Sequence, residues 1–405
     1  PILAASTDAD EHFGYNFHDV SAKANWKLDK KNRLYTSFYT NRDKFSMSWR
    51  EDGDVVKINF KWGNELAIFR WNRIVSPKVF SNLSAFYSNY SYQRNASYKT
   101  PSDFYAQNSK SKIRELGIKW DWEANPHWKD QISWGIKASS LGFNPEITEF
   151  ISPEVDTTYV PTPTIGSWLF VGYVQNDWKV NSKLELQTGL RASSFIPKDD
   201  FFFKLEPRFS LKYSPTKQST FHVSYNYMMQ YINLLTNSSI GLPTDLWVSS
   251  TDKIKPQTSH QVSLGSTLMF GNDKWEFTNE LFYKKLTGLL EYKPITSYAP
   301  ASNWEDQVLS GGNGFAQGWE MFLRYSSKKT NGWIAYTLSK SERQFDELNN
   351  GVSFPFKYDR RHDFKVVLNH NFTKKFSLGL TWVFNNGINA TIPVSTYVDL
   401  NGNQV

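Results

Sequence analysis

The chain has 405 residues, a formal charge of +7 and no cysteine, and 17% of its residues are aromatic although it is polar on average. The missing cysteines exclude disulfide frameworks, thiolate zinc sites and cysteine nucleophiles. The basic residues are scattered through turns such as Asp29-Lys30-Lys31-Asn32 and Thr373-Lys374-Lys375, so no nucleic-acid partner is expected. No apolar run approaches the ~20 residues of a helical membrane span.

Taken in chain order, the hydrophobic pattern predicts eight hairpins with short turns. They lie at 15–41, at 64–92 across Ser76-Pro77-Lys78, and at 111–141 through Ala124-Asn125-Pro126-His127. The next two are 167–195 and 205–228, the latter across Ser214-Pro215-Thr216-Lys217. The last three are 258–287 across Gly271-Asn272-Asp273, 316–341, and 362–385. Proline, glycine, asparagine and aspartate gather at these turns because each supplies a φ that chain reversal needs. Within the strands every second residue is large and apolar. Phe376, Leu378, Leu380, Trp382 and Phe384 show it, with Ser377, Gly379 and Thr381 between them. The series Ile113, Leu116, Ile118, Trp120, Trp122 slips phase once near Glu115, which predicts a bulge.

Long connections are expected near 42–63, 93–110, 142–166, 229–257, 288–315 and 342–361. Short turns alternating with long loops are the pattern of a transmembrane β-barrel, so the fold class is all-β, an antiparallel barrel with about 16 strands. The chain opens Pro1-Ile2-Leu3 without a leader and runs past Phe384 into Asn386-Gly387-Ile388-Asn389 without a return strand, so it reads as an interior piece of a larger barrel.

Particular residues carry a resemblance. Leu205-Glu206-Pro207-Arg208-Phe209 resembles the "EPR" strand of TonB-dependent outer-membrane receptors, especially those of the Bacteroidota. Gly314-Phe315-Ala316-Gln317-Gly318-Trp319-Glu320 is similar to their "G-x-A-x-G-x-E" strand entry, and Tyr358-Asp359-Arg360-Arg361-His362-Asp363 to their "DRRHD" strand start. The resemblance implies a 22-stranded barrel of the bacterial outer membrane, plugged by an N-terminal domain that is missing from this chain together with the TonB box and the terminal strands. It implies a multi-pass receptor with outer-membrane lipid around it, TonB as a partner through the plug, and a nutrient ligand such as a siderophore, haem, an oligosaccharide or a peptide. A surface lipoprotein lid fits the same pattern. No cofactor is implied, and no enzyme.

The site residues follow from this frame. Glu206 and Arg208, at i and i+2, share one strand face and should point into the lumen, toward a plug or toward one another's neighbours. Asp359, Arg360, Arg361, His362 and Asp363 form the densest charged cluster and read as a rim network, since no nucleophile accompanies the histidine. Tyr231, Asn233, Asn237 and Trp247 in one long loop, with Tyr298, Trp304 and Asp306 in the next, are candidates for ligand capture through ring stacking and amide hydrogen bonds. Asp8, Asp10, Glu11 and His12 read as a solvated acidic run, and no metal is expected there. Two alternatives share the strand pattern: a passive porin or adhesin barrel, and a soluble carbohydrate-binding β-sandwich.

Overall fold

The reversals form where the turn chemistry places them. Asp29 accepts the backbone N–H groups of Lys31 and Asn32 at 2.6 and 2.8 Å, and Asn181 accepts those of Lys183 and Leu184 at 2.8 and 3.0 Å. Gly271, Asn272 and Asp273 all adopt positive φ, a conformation these residue types tolerate best.

The structure is a computed structural model that describes residues 11–51, 53–152, 155–160, 164–235, 246–293 and 304–389. In chain order the strands are β1 (Glu11–Lys27), β2 (Asn32–Glu51), β3 (Asp54–Ser76), β4 (Val79–Lys99), β5 (Phe104–His127), β6 (Asp130–Ser152), β7 (Val155–Val160), β8 (Ile165–Lys179), β9 (Leu184–Ile196) and β10 (Phe202–Tyr213). They continue as β11 (Ser219–Gln230), β12 (Ile232–Leu235), β13 (Leu246–Ser249), β14 (Gln257–Phe270), β15 (Trp275–Tyr292), β16 (Val308–Ser326), β17 (Thr330–Gln344), β18 (Phe354–Pro355), β19 (His362–Asn371) and β20 (Ser377–Asn385).

The through-going strands form one antiparallel meander in chain order. β1 to β6 pair successively, β6 pairs β8, and β8 to β11 follow. β11 then pairs β14, β14 to β17 follow, β17 pairs β19 and β19 pairs β20. β7 folds back on β6, β18 on β17, and β12 with β13 forms a separate two-stranded sheet. Among the described residues β1 and β20 are each paired on one side only.

Register carries the apolar face from strand to strand. Leu264, Leu281, Trp319 and Leu338 are successive cross-strand partners, and the first three are 54%, 51% and 39% exposed. Farther along, Val366 faces Trp382 and Leu368 faces Leu380. The opposite face holds a wet wall of paired charges: Lys137–Glu115 at 2.6 Å, Lys119–Asp121 at 3.0 Å, Lys212–Glu185 at 3.1 Å and Lys365–Asp363 at 2.9 Å. Apart from Phe60, the buried hydrophobic residues of the described chain lie at the long-connection end, in three clusters built on Tyr92, Leu235, Val248 and Leu290; on Leu141, Phe143, Phe195 and Tyr231; and on Leu289, Leu309 and Phe345.

Two expectations are corrected. Several predicted loops are strand: β2 and β3 stay paired through 42–63, β4 and β5 through most of 93–110, and β6 runs on to Ser152. Segments such as Arg42-Asp43-Lys44 carry polar residues on both faces, so alternation vanishes while pairing persists. The bulge near Glu115 is absent too. β5 pairs β4 in unbroken register from Phe104 to Ala124, and its irregularities against β6 lie between Lys110 and Lys112 and between Ala124 and His127. Ile113 breaks phase because it packs inward on the Phe143–Phe195 cluster, while Leu116 lies on the outer face.

Candidate functional site

Glu206 on β10 is fully buried, and what compensates a buried carboxylate decides its role. The guanidinium of Arg191, its register partner on β9, donates to Oε1 at 2.5 Å. The Ser193 hydroxyl also donates to Oε1 at 2.5 Å, and the Met229 backbone N–H reaches Oε2 at 3.3 Å. Ser193 Oγ is in turn 2.7 Å from the Tyr231 hydroxyl, whose ring stacks on Phe195 with centroids 4.9 Å apart. One carboxylate thus ties β9, β10 and β11 together just where β11 leaves the wall. Arg208 shares the alternation of Glu206 but stays exposed, so the two are not brought together.

Beyond Tyr231 the chain turns inward. β12 and β13 form a hairpin whose base is pinched by the Ser250 N–H donating to Tyr231 O at 2.8 Å. β13 lies against β6 and β12 against β15, which stand far apart in the meander. Leu235, Val248 and Ile254 bury themselves with Tyr92 of β4, Leu290 of β15 and Val308 of β16, and Trp62, Tyr90, Tyr292 and Trp304 pack around them. The segment therefore bridges opposite parts of the wall. Asn233 is fully buried within it, and neither amide atom has a hydrogen-bond partner among the described residues. Trp247 is 37% exposed.

The two predicted ligand loops meet. Thr251 Oγ1 donates to Glu305 at 2.6 Å, and Lys253 Nζ lies 3.6 Å from Glu305 and 3.8 Å from Asp306. Trp304 joins the apolar cluster beside Ile254, while Asp306 stays exposed. Asn237 and Tyr298 lie outside the described residues, as do Asp8 and Asp10.

The Asp359–Asp363 cluster fastens the last long connection. Asp359 is buried and accepts the Ser341 N–H at 2.6 Å, with Arg361 Nη2 at 3.5 Å. The Arg360 carbonyl accepts the Ser339 hydroxyl at 2.9 Å, His362 Nδ1 lies 2.8 Å from the Tyr336 hydroxyl, and Asp363 pairs with Lys365. Beside it is an ion pair that sequence reasoning missed. Arg343 donates to Leu290 O at 3.0 Å and to Glu291 at 3.1 Å, with its guanidinium carbon 3.7 Å from the centre of the Phe356 ring. Burial pushes the Glu291 carboxyl above its ordinary value against the pull of Arg343, and burial also lowers Arg343. No local signal links residues 52 positions apart. Arg191 was findable, because pairing β9 with β10 sets it opposite Glu206.

What the site offers is a wall, a mouth and an inward hairpin. The model for "TonB dependent receptor-like, beta-barrel" matches residues 3–404. This chain belongs to the TonB-dependent receptor β-barrel family. Among solved structures, this receptor barrel is similar to the ferric-catecholate import receptor Fiu of E. coli K12, at 9% identity over 92% of this chain and 70% of that one, with a TM-score of 0.57. It is similar to P. aeruginosa FpvA bound to a pyoverdine (9% identity, 93% and 63% covered, TM-score 0.58) and to the copper transporter OprC (12%, 92% and 66%, 0.60). The receptor barrel therefore spans about two thirds of the length of these structures, which share its fold. No curated protein matches it.

Proposed function

We propose that the chain forms the wall and outer mouth of a bacterial outer-membrane receptor that imports a scarce nutrient with energy delivered by TonB through a plug domain. The family match over residues 3–404 carries this reading. The faces of the sheet support it. The outward rows of Leu264, Leu281, Trp319 and Leu338 need an apolar surrounding, and the charged inner wall needs water or a polar plug. An apolar band about 25 Å tall takes about ten tilted residues, so it starts at the short turns, which then face the periplasm. The inward hairpin, the 304–306 segment and the rim of Asp359–Asp363 stand beyond it on the outside.

Metal chelates are the first ligand class for this barrel, because Fiu is described as a ferric-catecholate import receptor and FpvA as bound to pyoverdine–iron. Haem, oligosaccharide and peptide ligands remain within the same reading. Trp247, Trp304 and Asp306 are the proposed contacts, with Tyr231 holding the hairpin base and Asn233 buried inside the hairpin. Glu206 with Arg191 is the proposed strut beneath them, and the inner wall that includes Arg208 is the proposed plug face. A hairpin laid across the mouth speaks against a passive pore.

The test is uptake of radiolabelled ferric chelates by the native host, by the host with this gene deleted and by the host lacking TonB. Uptake lost in both deletions fits the proposal. Uptake through this protein that survives without TonB would overturn it.

A further inference from the structure

The short turns lie far apart along the sequence, and the meander collects all eight on one edge of the sheet. Each contains at least one lysine, and together they hold eleven lysines against two aspartates and no arginine. Lys30 with Lys31, Lys328 with Lys329 and Lys374 with Lys375 stand in pairs, and the other five turns hold one lysine each.

These cations differ from those of the wall. Among the described residues none of the eleven forms an ion pair, and all but Lys129 are exposed. Lys78 donates to the Pro126 carbonyl at 2.7 Å and Lys129 lies over the Trp128 ring, contacts that leave the charge in place. Of the two aspartates, Asp29 is committed to the backbone N–H groups of Lys31 and Asn32. Up the wall and at the mouth cations face carboxylates instead: Lys137 with Glu115, Lys255 with Asp200 and Arg343 with Glu291.

Spacing and residue type narrow the partner. At ~4.8 Å between strands and a ~45° tilt, successive turns stand about 14 Å apart along the edge. A compact protein partner covers about 800 Å² and centres on a few buried anchors, commonly Trp, Tyr or Arg. One or two lysines on each of eight regularly spaced turns form no such centre. They match a partner that is itself extended and repeats its negative groups. Lysine is a hydrated point charge on a flexible stem, suited to adjustable pairing, and the planar arginine fork that grips phosphate is missing from these turns.

Taking the outer-membrane orientation proposed above, in which the short turns face the periplasm, we infer that this edge is a docking surface for the carboxylate-bearing cell-wall polymer beneath the membrane. Free carboxylates on the peptide stems repeat along the mesh, and each lysine turn pairs with whichever lies nearest. Such contacts hold the receptor over the wall without fixing one rotation about the barrel axis.

The full receptor, purified from its host into phosphatidylcholine nanodiscs, is sedimented with insoluble cell wall from that host and with the same wall after its carboxylates are converted to amides. Capture should be strong in about 0.05 M salt and lost in about 1 M, where the screening length falls to about 3 Å. The amidated wall should capture at least about tenfold less. Gln at Lys30, Lys31, Lys328, Lys329, Lys374 and Lys375 should weaken binding to the native wall at least about tenfold, and Arg at the same six should keep it, because charge is what the wall meets. Each two-lysine replacement alone should weaken it about two- to threefold, which keeps the result readable where the six-site variant does not fold. Equal capture by native and amidated wall overturns the docking surface, as does a single turn carrying the whole loss. Capture by anionic-lipid vesicles without capture by the wall overturns it too. Orientation is read separately in intact cells with a membrane-impermeant amine reagent and peptide mapping. Labelling of Lys328 and Lys329 without permeabilising the outer membrane overturns the orientation and the docking surface with it. Protection of both lysines with no capture by the wall overturns the docking surface alone.

Discussion

Glu206 shows how much a single buried charge depends on its neighbours. Its carboxylate is held by Arg191, Ser193 and the Met229 N–H, so truncation leaves three donors facing a void. Breaking a buried ion pair costs ~3–5 kcal/mol, but Arg191 is 24% exposed and water can recover part of its solvation. Glu206→Ala is therefore expected to destabilise the folded barrel by about 2–4 kcal/mol. Arg208→Ala, two positions away and exposed, should fall within about 0.5 kcal/mol. Urea unfolding of the full receptor in lipid vesicles measures both, and equal effects would remove the strut role from Glu206.

At Glu291 the sign of the pH dependence is fixed by burial. Its folded pKa lies above the ordinary 4.5, so the folded state holds the proton to higher pH than the unfolded chain does. The associated stability is complete below 4.5 and is lost as pH rises through the raised value. Measured between pH 4.5 and 7, the melting temperature of the wild type relative to Glu291→Gln should fall as pH rises, because the amide does not titrate. Parallel curves would show that Arg343 cancels the burial penalty.

Elements differ in how legibly they were written. The run Phe376–Phe384 announced β20 and its faces, since one side meets an apolar surrounding throughout. The upper halves of β2 to β6 were invisible, because above the apolar band neither face is selected for hydrophobicity and only backbone pairing remains. β15 shows a third case. It was expected to end near 287, yet a register shift at Gly288 lets it continue to Tyr292 with Leu289, Leu290 and Glu291 all buried. Gly288 has φ +73°, and a Cβ there would stand 2.9 Å from the Pro256 carbonyl oxygen. Gly288→Ala should cost about 1–3 kcal/mol by adding that clash to a left-handed backbone. Gly311→Ala, at φ +87° with nothing within 4 Å, should cost only about 1–2 kcal/mol from conformation alone. The same unfolding assay ranks the pair, and a reversed order would show that β15 relaxes at the bulge. The candidate site was legible in the same uneven way. Tyr231, Asn233 and Trp304 were readable as loop aromatics and amides, but their joining needed strands distant in sequence to face each other.

For the whole molecule, the question is whether the inward hairpin closes the mouth or merely decorates it. Its base is already joined by the hydrogen bond from Ser250 to Tyr231, so residues 232–249 can be replaced by Gly-Gly with the wall strands left in register. Leu290, 1% exposed, lies beneath the hairpin on β15. These 405 residues contain no cysteine, so Leu290→Cys adds the one reporter thiol of the barrel segment, and the receptor without that substitution serves as the blank. Thiol reactivity follows access. In intact cells a membrane-impermeant maleimide should label Leu290→Cys slowly in the full receptor and at least about tenfold faster once the hairpin is excised. Equal rates would mean that Leu290 is covered by the neighbouring wall, and the hairpin would lose its role as a closure. Labelling that requires a permeabilised outer membrane would reverse the orientation, placing the long connections inside. Faster labelling from outside would tie three scales together: a pinched hairpin base, an element laid across the lumen, and a barrel whose mouth opens to the medium only when that element moves.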